Sequence, residues 1–521
     1  MRARKIATAV ATSATLLAGM AVTGQASASV AGDAGTGVLA RFQHQMINWH
    51  GCKTGPNDET GEELDAAGAQ CAEITVPLDY RRRQGRTISV AISRIKATDP
   101  AKRRGVMLIN PGGPGGRGLQ RALLGTFMPA VAARYDLIGM DPRFVGRSTP
   151  IHCRWTTDTP TRSAGPTRRT FNESVVLMKK LAVGCVQGNR GLLPYASTRN
   201  TARDMDVIRA ALGEPKLSYL GYSYGTYLGA VYTQMFGGRA DRVVLDSAVD
   251  PDVYGPDLLS ENGPAITAAL KHWASWAAAH DAEYGLGATE AEVLATVERV
   301  NQAATRRPLR VGGYRIDAHH VPYLLFIRLY DDSARAYAGF AAEVRVLADA
   351  ARGEAVTTVP ASLKETLDGL FTGSGTAEDR AGTSILCADR AASRDLETYF
   401  RAIQAHRAGE PLFGPMTRNI SPCAFWPTTP VEAPTVIGND TPMLIVGADG
   451  DPVTPHPGQR AMHRALTGSR MVTLRGAFRH GAYLAAGNAC VDATVNRYLV
   501  DGILPDGATT CDKDSAPAGR R

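Results

Sequence analysis

Apolar and polar residues alternate from Glu73 to Leu78 and again from Thr87 to Ile92. The polar stretch Asp79 to Arg86 lies between them, so the pair predicts an antiparallel hairpin. Val106-Met107-Leu108-Ile109 and Tyr135-Asp136-Leu137-Ile138-Gly139-Met140 are short, nearly continuous apolar runs, the pattern of strands buried on both faces. Further runs follow at Leu217 to Gly221, Arg242 to Leu245, Met443 to Val446 and Arg470 to Leu474, with helix-like stretches such as Gly118 to Leu124 and Thr201 to Leu212 among them. Eight strands of this kind, two in a hairpin and the rest alternating with helices, predict an α/β fold. Its sheet is mostly parallel and eight-stranded, with helices on both faces. Ligands of such sheets bind beyond the carboxyl ends of the strands.

Between the sixth and seventh strands the pattern changes. Residues 247–441 read mainly as helix, at 265–280, 290–306, 333–352 and 395–406, with tryptophans at Trp273, Trp276 and Trp426. Such an insertion predicts a largely helical cap over the site. Residues 49–246 and 442–511 then form the two parts of the core. Residues 29–48 are a loose N-terminus or removable pro-segment, and 512–521 a polar tail.

Composition adds a compartment. Arg2, Arg4 and Lys5 precede an apolar stretch from Ile6 to Val22 and then Ala26-Ser27-Ala28, the arrangement of a secretory signal peptide spanning residues 1–28. No later stretch is long and apolar enough to span a bilayer, so the mature chain is expected to be secreted and extracellular. Its eight cysteines form no Cys-x-x-Cys pair. Eight cysteines allow 105 pairings. Sequential pairs, Cys52 with Cys71, Cys153 with Cys185, Cys387 with Cys423 and Cys490 with Cys511, each close a modest loop within one region. The formal charge of +8 is dispersed, and the run Arg81-Arg82-Arg83 adjoins the hairpin turn as a solvated rim, so no nucleic-acid partner is expected. The chain is expected to act as a monomer.

The chemistry centres on Gly221-Tyr222-Ser223-Tyr224-Gly225, between a strand and a helix of small and apolar residues. This is the pattern of a nucleophile elbow, which lifts the serine hydroxyl above the carboxyl edge of an α/β-hydrolase sheet. Serine needs a base, and the base needs an orienting acid. In this fold they follow in the order serine, acid, histidine. The acid is assigned to Asp451, in the loop after Met443 to Val446, ahead of Asp449 and the more distant Asp246. The base is assigned to His480, just after the last strand, rather than to His456 or His463. The oxyanion donors are assigned to the amides of Tyr224 and of Gly113, in Asn110-Pro111-Gly112-Gly113-Pro114-Gly115-Gly116. That loop lacks the Lys-Ser/Thr ending of a phosphate loop, and no metal-ligand cluster stands out, so neither cofactor nor metal is expected.

These motifs carry a resemblance. The glycine loop, Asp141-Pro142-Arg143 with Gly146 and Ser148, Asn200-Thr201-Ala202-Arg203-Asp204, the elbow and Asp451-Pro452-Val453-Thr454-Pro455 resemble those of the secreted bacterial tripeptidyl aminopeptidases. These are serine peptidases of the α/β-hydrolase fold, related to proline iminopeptidases. The resemblance runs from about Trp49 to Cys511 and implies release of tripeptides from free peptide N-termini, often after proline. The alternatives on the same triad are a proline iminopeptidase-like aminopeptidase or a secreted esterase or lipase. A non-catalytic binding protein is disfavoured, since serine, acid and base are all present. Arg117, Phe144 and Arg479 depart from the family pattern at positions expected beside the pocket. The family further implies acidic cap residues for the substrate ammonium, for which Asp389 is a candidate.

Overall fold

The computed structural model describes residues 34–373 and 378–513. The signal-peptide assignment (1–28) and most of the C-terminal tail lie outside them. The strands are β1 (Gln70–Pro77), β2 (Thr87–Ile95), β3 (Gly105–Asn110), β4 (Tyr135–Met140), β5 (Leu217–Tyr222), β6 (Ala240–Asp246), β7 (Leu309–Val311), β8 (Tyr314–Ile316), β9 (Met443–Ala448), β10 (Ser469–Arg475) and β11 (Thr509–Asp512).

Nine of these form one sheet in the order β1-β2-β4-β3-β5-β6-β9-β10-β11. β1 and β2 pair antiparallel, as do β2 and β4, and every other pairing is parallel. The fold is that of an α/β-hydrolase. Every residue of β3, β4 and β9 is buried, which is why their sequences lack the alternation seen in β1. β11 is a ninth strand beyond the eight predicted. Its sequence, Thr-Thr-Cys-Asp, is too short and polar to register as a strand. The Cys490–Cys511 disulfide and pairing with Val472 to Arg475 hold it at the sheet edge.

From β3 the chain moves outward to β4, then returns to the other side of β3 to lay down β5. The strand order therefore reverses between β3 and β5. The crevice at their carboxyl ends is the topological switch point where such sheets bind ligands.

The insertion between β6 and β9 is mostly helical. Besides the helices read from sequence it contains Val321–Phe326, Ala361–Thr372 and Glu378–Asp389 and the small β7–β8 hairpin. Thr289 and Glu292 form a capping box at the start of Glu290–Arg306. The apolar side chains of the insertion divide into two groups. Trp273, packed 4.1 Å from Phe340, centres a core of its own that includes Val297, Leu325, Val344 and Leu367. Cys387, Tyr399, Ile403, Cys423 and Trp426 instead join the sheet's core beside Phe171 and Leu181. All four cysteine pairs are sequential: Cys52–Cys71, Cys153–Cys185, Cys387–Cys423 and Cys490–Cys511.

Two of the sequence motifs are spent on structure. Arg143, fully buried, grips Asp204 through Nε and Nη2 at 2.7 and 2.6 Å and also donates to the carbonyls of Pro77, Leu78 and Tyr195. Tyr80 adds a third hydrogen bond to Asp204 at 2.7 Å. Asp141 accepts the amides of Gly118, Leu119 and Arg147, fixing the loop after β3 to the loop after β4. Removing one member of a buried pair strands the other charge. Arg143→Met is therefore expected to lower the unfolding free energy by about 3–5 kcal/mol, read by denaturant titration. A loss below about 1 kcal/mol would show that Asp204 finds another partner.

Candidate active site

Ser223 directly follows β5 with φ 54° and ψ −124°, a positive-φ backbone that side-chain-bearing residues rarely adopt, and the helix Tyr224–Phe236 begins at the next residue. A residue held in so sparsely populated a backbone region costs about 1–3 kcal/mol. Hydrogen bonds on both sides hold it: Ser223 N–H donates to Asp246 O at 2.9 Å, and Thr226 N–H donates to Ser223 O at 2.8 Å. A Cβ on Gly221 would lie 2.5 Å from the carbonyl oxygen of Gly225, and one on Gly225 would lie 2.7 Å from Asn110 Oδ1. The spacing Gly-x-Ser-x-Gly is thus forced by close approach. It leaves the serine hydroxyl at a helix N-terminus, where partial positive charge favours an anion.

Asp451 is fully buried in the loop after β9. It accepts the amides of Val453 and Thr454 at 2.8 and 3.0 Å, the Thr454 hydroxyl at 2.8 Å and His480 Nδ1–H at 2.9 Å. With Nδ1 committed to Asp451, Nε2 is the ring nitrogen left to accept a proton. Burial disfavours the imidazolium, but the charge and hydrogen bond of Asp451, with the charge of Asp246, outweigh it and raise the His480 pKa above 6.5. Among the described residues Ser223 Oγ makes no hydrogen bond, so contact with His480 is not closed here. Such contacts are often loose before substrate arrives.

The rival residues have other partners. Asp449 accepts the Gly476 amide at 2.9 Å. His463 bonds the Ser469 hydroxyl, and His456 lies by Thr473.

The glycine loop after β3 presses on the elbow: a Cβ on Gly112 would stand 2.8 Å from Ser223 Cβ. Gly113, Ser223 and Tyr224 line one cavity of about 210 Å³. The rest of its wall is mainly apolar, with Pro114, Pro160, Leu258, Phe326, Ile327 and Leu386 among its residues, and no Asp, Glu, Lys or Arg lines it. Neither the Gly113 amide nor the Tyr224 amide is engaged with a described residue, which leaves both for a substrate oxygen.

The insertion roofs this cavity with Tyr323, Phe326, Ile327 and Tyr330. It also touches His480, whose main-chain N–H donates to Tyr330 O at 2.9 Å, and the two rings meet edge to face at 5.4 Å. These contacts were not foreseen, although the aromatic run from Tyr323 to Tyr330 was a visible signal.

Asp389 does not line the cavity. Its carboxylate is buried and accepts the Thr198 amide and hydroxyl at 2.7 and 2.5 Å and the Tyr254 hydroxyl at 2.9 Å. Burial, only partly offset by these bonds, pushes its pKa up to about 6. It thus braces Tyr254 and, through Thr198, the Tyr224 hydroxyl, both in the cavity wall. Arg117, Phe144 and Arg479, expected beside the pocket, are not among the residues that line it. Phe144 is buried with φ 70°, a backbone that suits the glycine of the family pattern. Arg479 braces the His480 loop, donating to the carbonyls of Gly481 and Ala485 and pairing with Asp331 and Asp332.

A strained serine between strand and helix, together with a histidine held by a buried carboxylate, on a sheet of this order, defines a serine hydrolase of the α/β-hydrolase class. The comparison with known proteins narrows it. The chain belongs to the tripeptidyl aminopeptidase family, a family of serine peptidases: it is 34% identical over 466 residues to the tripeptidyl aminopeptidase of Streptomyces lividans, an alignment covering 86% of this chain and 84% of the relative. A serine protease of Mycobacterium tuberculosis is 29% identical over 90% of this chain and 91% of its own length. Carboxylesterase B of the same organism is 28% identical over 89% of each. A family model described as TAP-like protein matches residues 410–511.

The raised His480 pKa fixes the sign of the pH dependence. As a general base His480 would work only when neutral, so kcat/KM should fall on acidification through a midpoint above 6.5. Asp451→Asn removes the charge that raises it. The expected result is a midpoint at lower pH and a kcat reduced about 10⁴-fold. A pH–rate profile of both proteins checks this, and an unmoved midpoint would deny the pairing its role.

Proposed function

We propose that this chain is a secreted serine exopeptidase that releases short peptides, tripeptides foremost, from the free N-termini of peptides through an acyl-enzyme. The observation that carries the reading is the cavity lined by Ser223 and by Tyr323, Phe326, Ile327 and Tyr330 of the insertion, with Tyr330 also in contact with the Asp451-bonded His480. His480 takes the Ser223 proton as Oγ attacks the scissile carbonyl. The Tyr224 and Gly113 amides stabilise the oxyanion. His480 then protonates the departing amine, and water, deprotonated by the same histidine, frees the acyl peptide. The paired cysteines support the extracellular setting, since disulfides persist in oxidising compartments. Among the described residues no helix is long and apolar enough to cross a membrane.

A free N-terminus needs an acidic partner. A second cavity, of about 110 Å³, shares Val249, Tyr254, Leu258, Val453 and Thr454 with the first and adds Asp250 and Glu261 to its lining. Glu261 is exposed and Asp250 half-buried. In this reading these carboxylates, rather than Asp389, receive the substrate ammonium by charge-assisted hydrogen bonds. The uncharged lining around Ser223 favours apolar residues at the cleaved bond. The same lining would suit the acyl chain of an ester, which is the second reading.

Two matched comparisons test the proposal. A tripeptide amide with a free α-amino group should exceed its acetylated counterpart by about a hundredfold in kcat/KM, equivalent to ~3 kcal/mol. Glu261→Gln should cut kcat/KM for the free peptide by about tenfold through KM while leaving the acetylated one unchanged. Equal rates on free and acetylated peptides, with faster turnover of short esters, would favour the esterase reading instead.

A further inference from the structure

Asp246 closes β6, is fully buried, and takes no part in the acyl-transfer steps above. Its contacts join three loops. Its main-chain carbonyl accepts the Ser223 amide at 2.9 Å. Its carboxylate accepts the amides of Ala482 at 3.1 Å and Tyr483 at 2.7 Å, two and three residues past His480. Ser247 continues the pattern from a left-handed backbone, φ 57°. Its amide donates to Val446 O on β9 at 2.8 Å. Its hydroxyl accepts the Gly481 amide at 2.8 Å and donates to Asp246 at 3.1 Å. The nucleophile, the strand that leads to Asp451 and the loop that carries His480 therefore meet at two adjacent residues, the first two through main-chain atoms and the loop through the side chains.

We propose that Asp246 and Ser247 are positioning residues, a buried anchor that fixes the His480 loop relative to Ser223 and sets the Asp246 carboxylate against that loop. The inference rests on the reading of Ser223 and His480 as nucleophile and base. The titratable groups facing Asp246 are His480, Tyr222 at the end of β5 and Tyr483 beyond the loop. Asp492 acts on the two tyrosines, and Asp451 on His480. Burial, opposed by the Tyr483 and Ala482 amides, pushes the Asp246 carboxyl up to about 6. Above that pH it is ionised, and its negative charge favours the His480 imidazolium. Removing the charge lowers the His480 pKa, so the base stays neutral to lower pH. A purely structural buttress would slow the reaction without moving that midpoint.

The test is the rate at which a fluorophosphonate phosphonylates Ser223 in the full-length enzyme, measured against pH. It reads the serine–histidine pair without reference to peptide preference. Asp246→Asn should label about tenfold to a hundredfold more slowly at alkaline pH, as a displaced loop would dictate, with its acid midpoint shifted to lower pH. Ser247→Ala, which alters no charge, should label more slowly with an unshifted midpoint. Thermal unfolding verifies that each variant is folded, and Ser247→Ala decides the anchoring if Asp246→Asn is not. Wild-type rates and midpoints in both variants would overturn the proposal, as would an Asp246→Asn midpoint that stays in place. A wild-type enzyme that the probe modifies elsewhere than at Ser223 would instead remove the reading beneath it.

Discussion

Ser223 occupies a backbone conformation that serine avoids, and the neighbouring structure exists in large part to hold it there. The elbow stays strained because its own amide is tied to β6 and its carbonyl is tied to the following helix. The glycines on either side are required because backbone and Asn110 occupy the space a side chain would need. Strain of this kind persists only where surrounding contacts over-determine it. Here those contacts come from β3, β6 and the elbow helix together, at the one place where the strand order reverses.

The electrostatics follow from which carboxylate reaches the histidine. Asp451 and Asp246 are both fully buried, and both act on His480. Asp451 bonds the imidazole directly, with two amides and a hydroxyl stabilising its charge. Asp246 is turned to the main chain of the residues after His480, and burial pushes its carboxyl up to about 6. One carboxylate orients the ring; the other orients the loop.

Much of this was legible in the sequence, for identifiable reasons. Strands buried on both faces leave continuous apolar runs, and the elbow's glycine spacing is sterically compelled, so both can be read locally. Asp451 and His480 could be proposed because chain order in this fold restricts each to one loop, and the folded chain sets the two in hydrogen-bond contact. The rest depends on contacts distant in sequence. β11 is polar and owes its place to β10 and a disulfide. The insertion reads as one helical block, yet its apolar residues serve two different cores. Asp389 reads locally as a candidate binding carboxylate, and only the folded chain shows that Thr198 and Tyr254, far away in sequence, bond it. Arg143 and Asp204 stood out as motif residues, but nothing local distinguishes a buried ion pair from a site. Asp250 and Glu261 drew no notice because only the folded chain sets them beside the cavity at Ser223.

The central claim is that Ser223 cuts peptides from their free ends. Mass spectrometry of the products from an unblocked peptide of about ten residues, incubated with the wild-type enzyme and with Ser223→Ala, addresses it most directly. The account predicts successive N-terminal tripeptides from the wild type and an intact peptide with the variant. Internal fragments from the wild type, or unchanged digestion by Ser223→Ala, would contradict it.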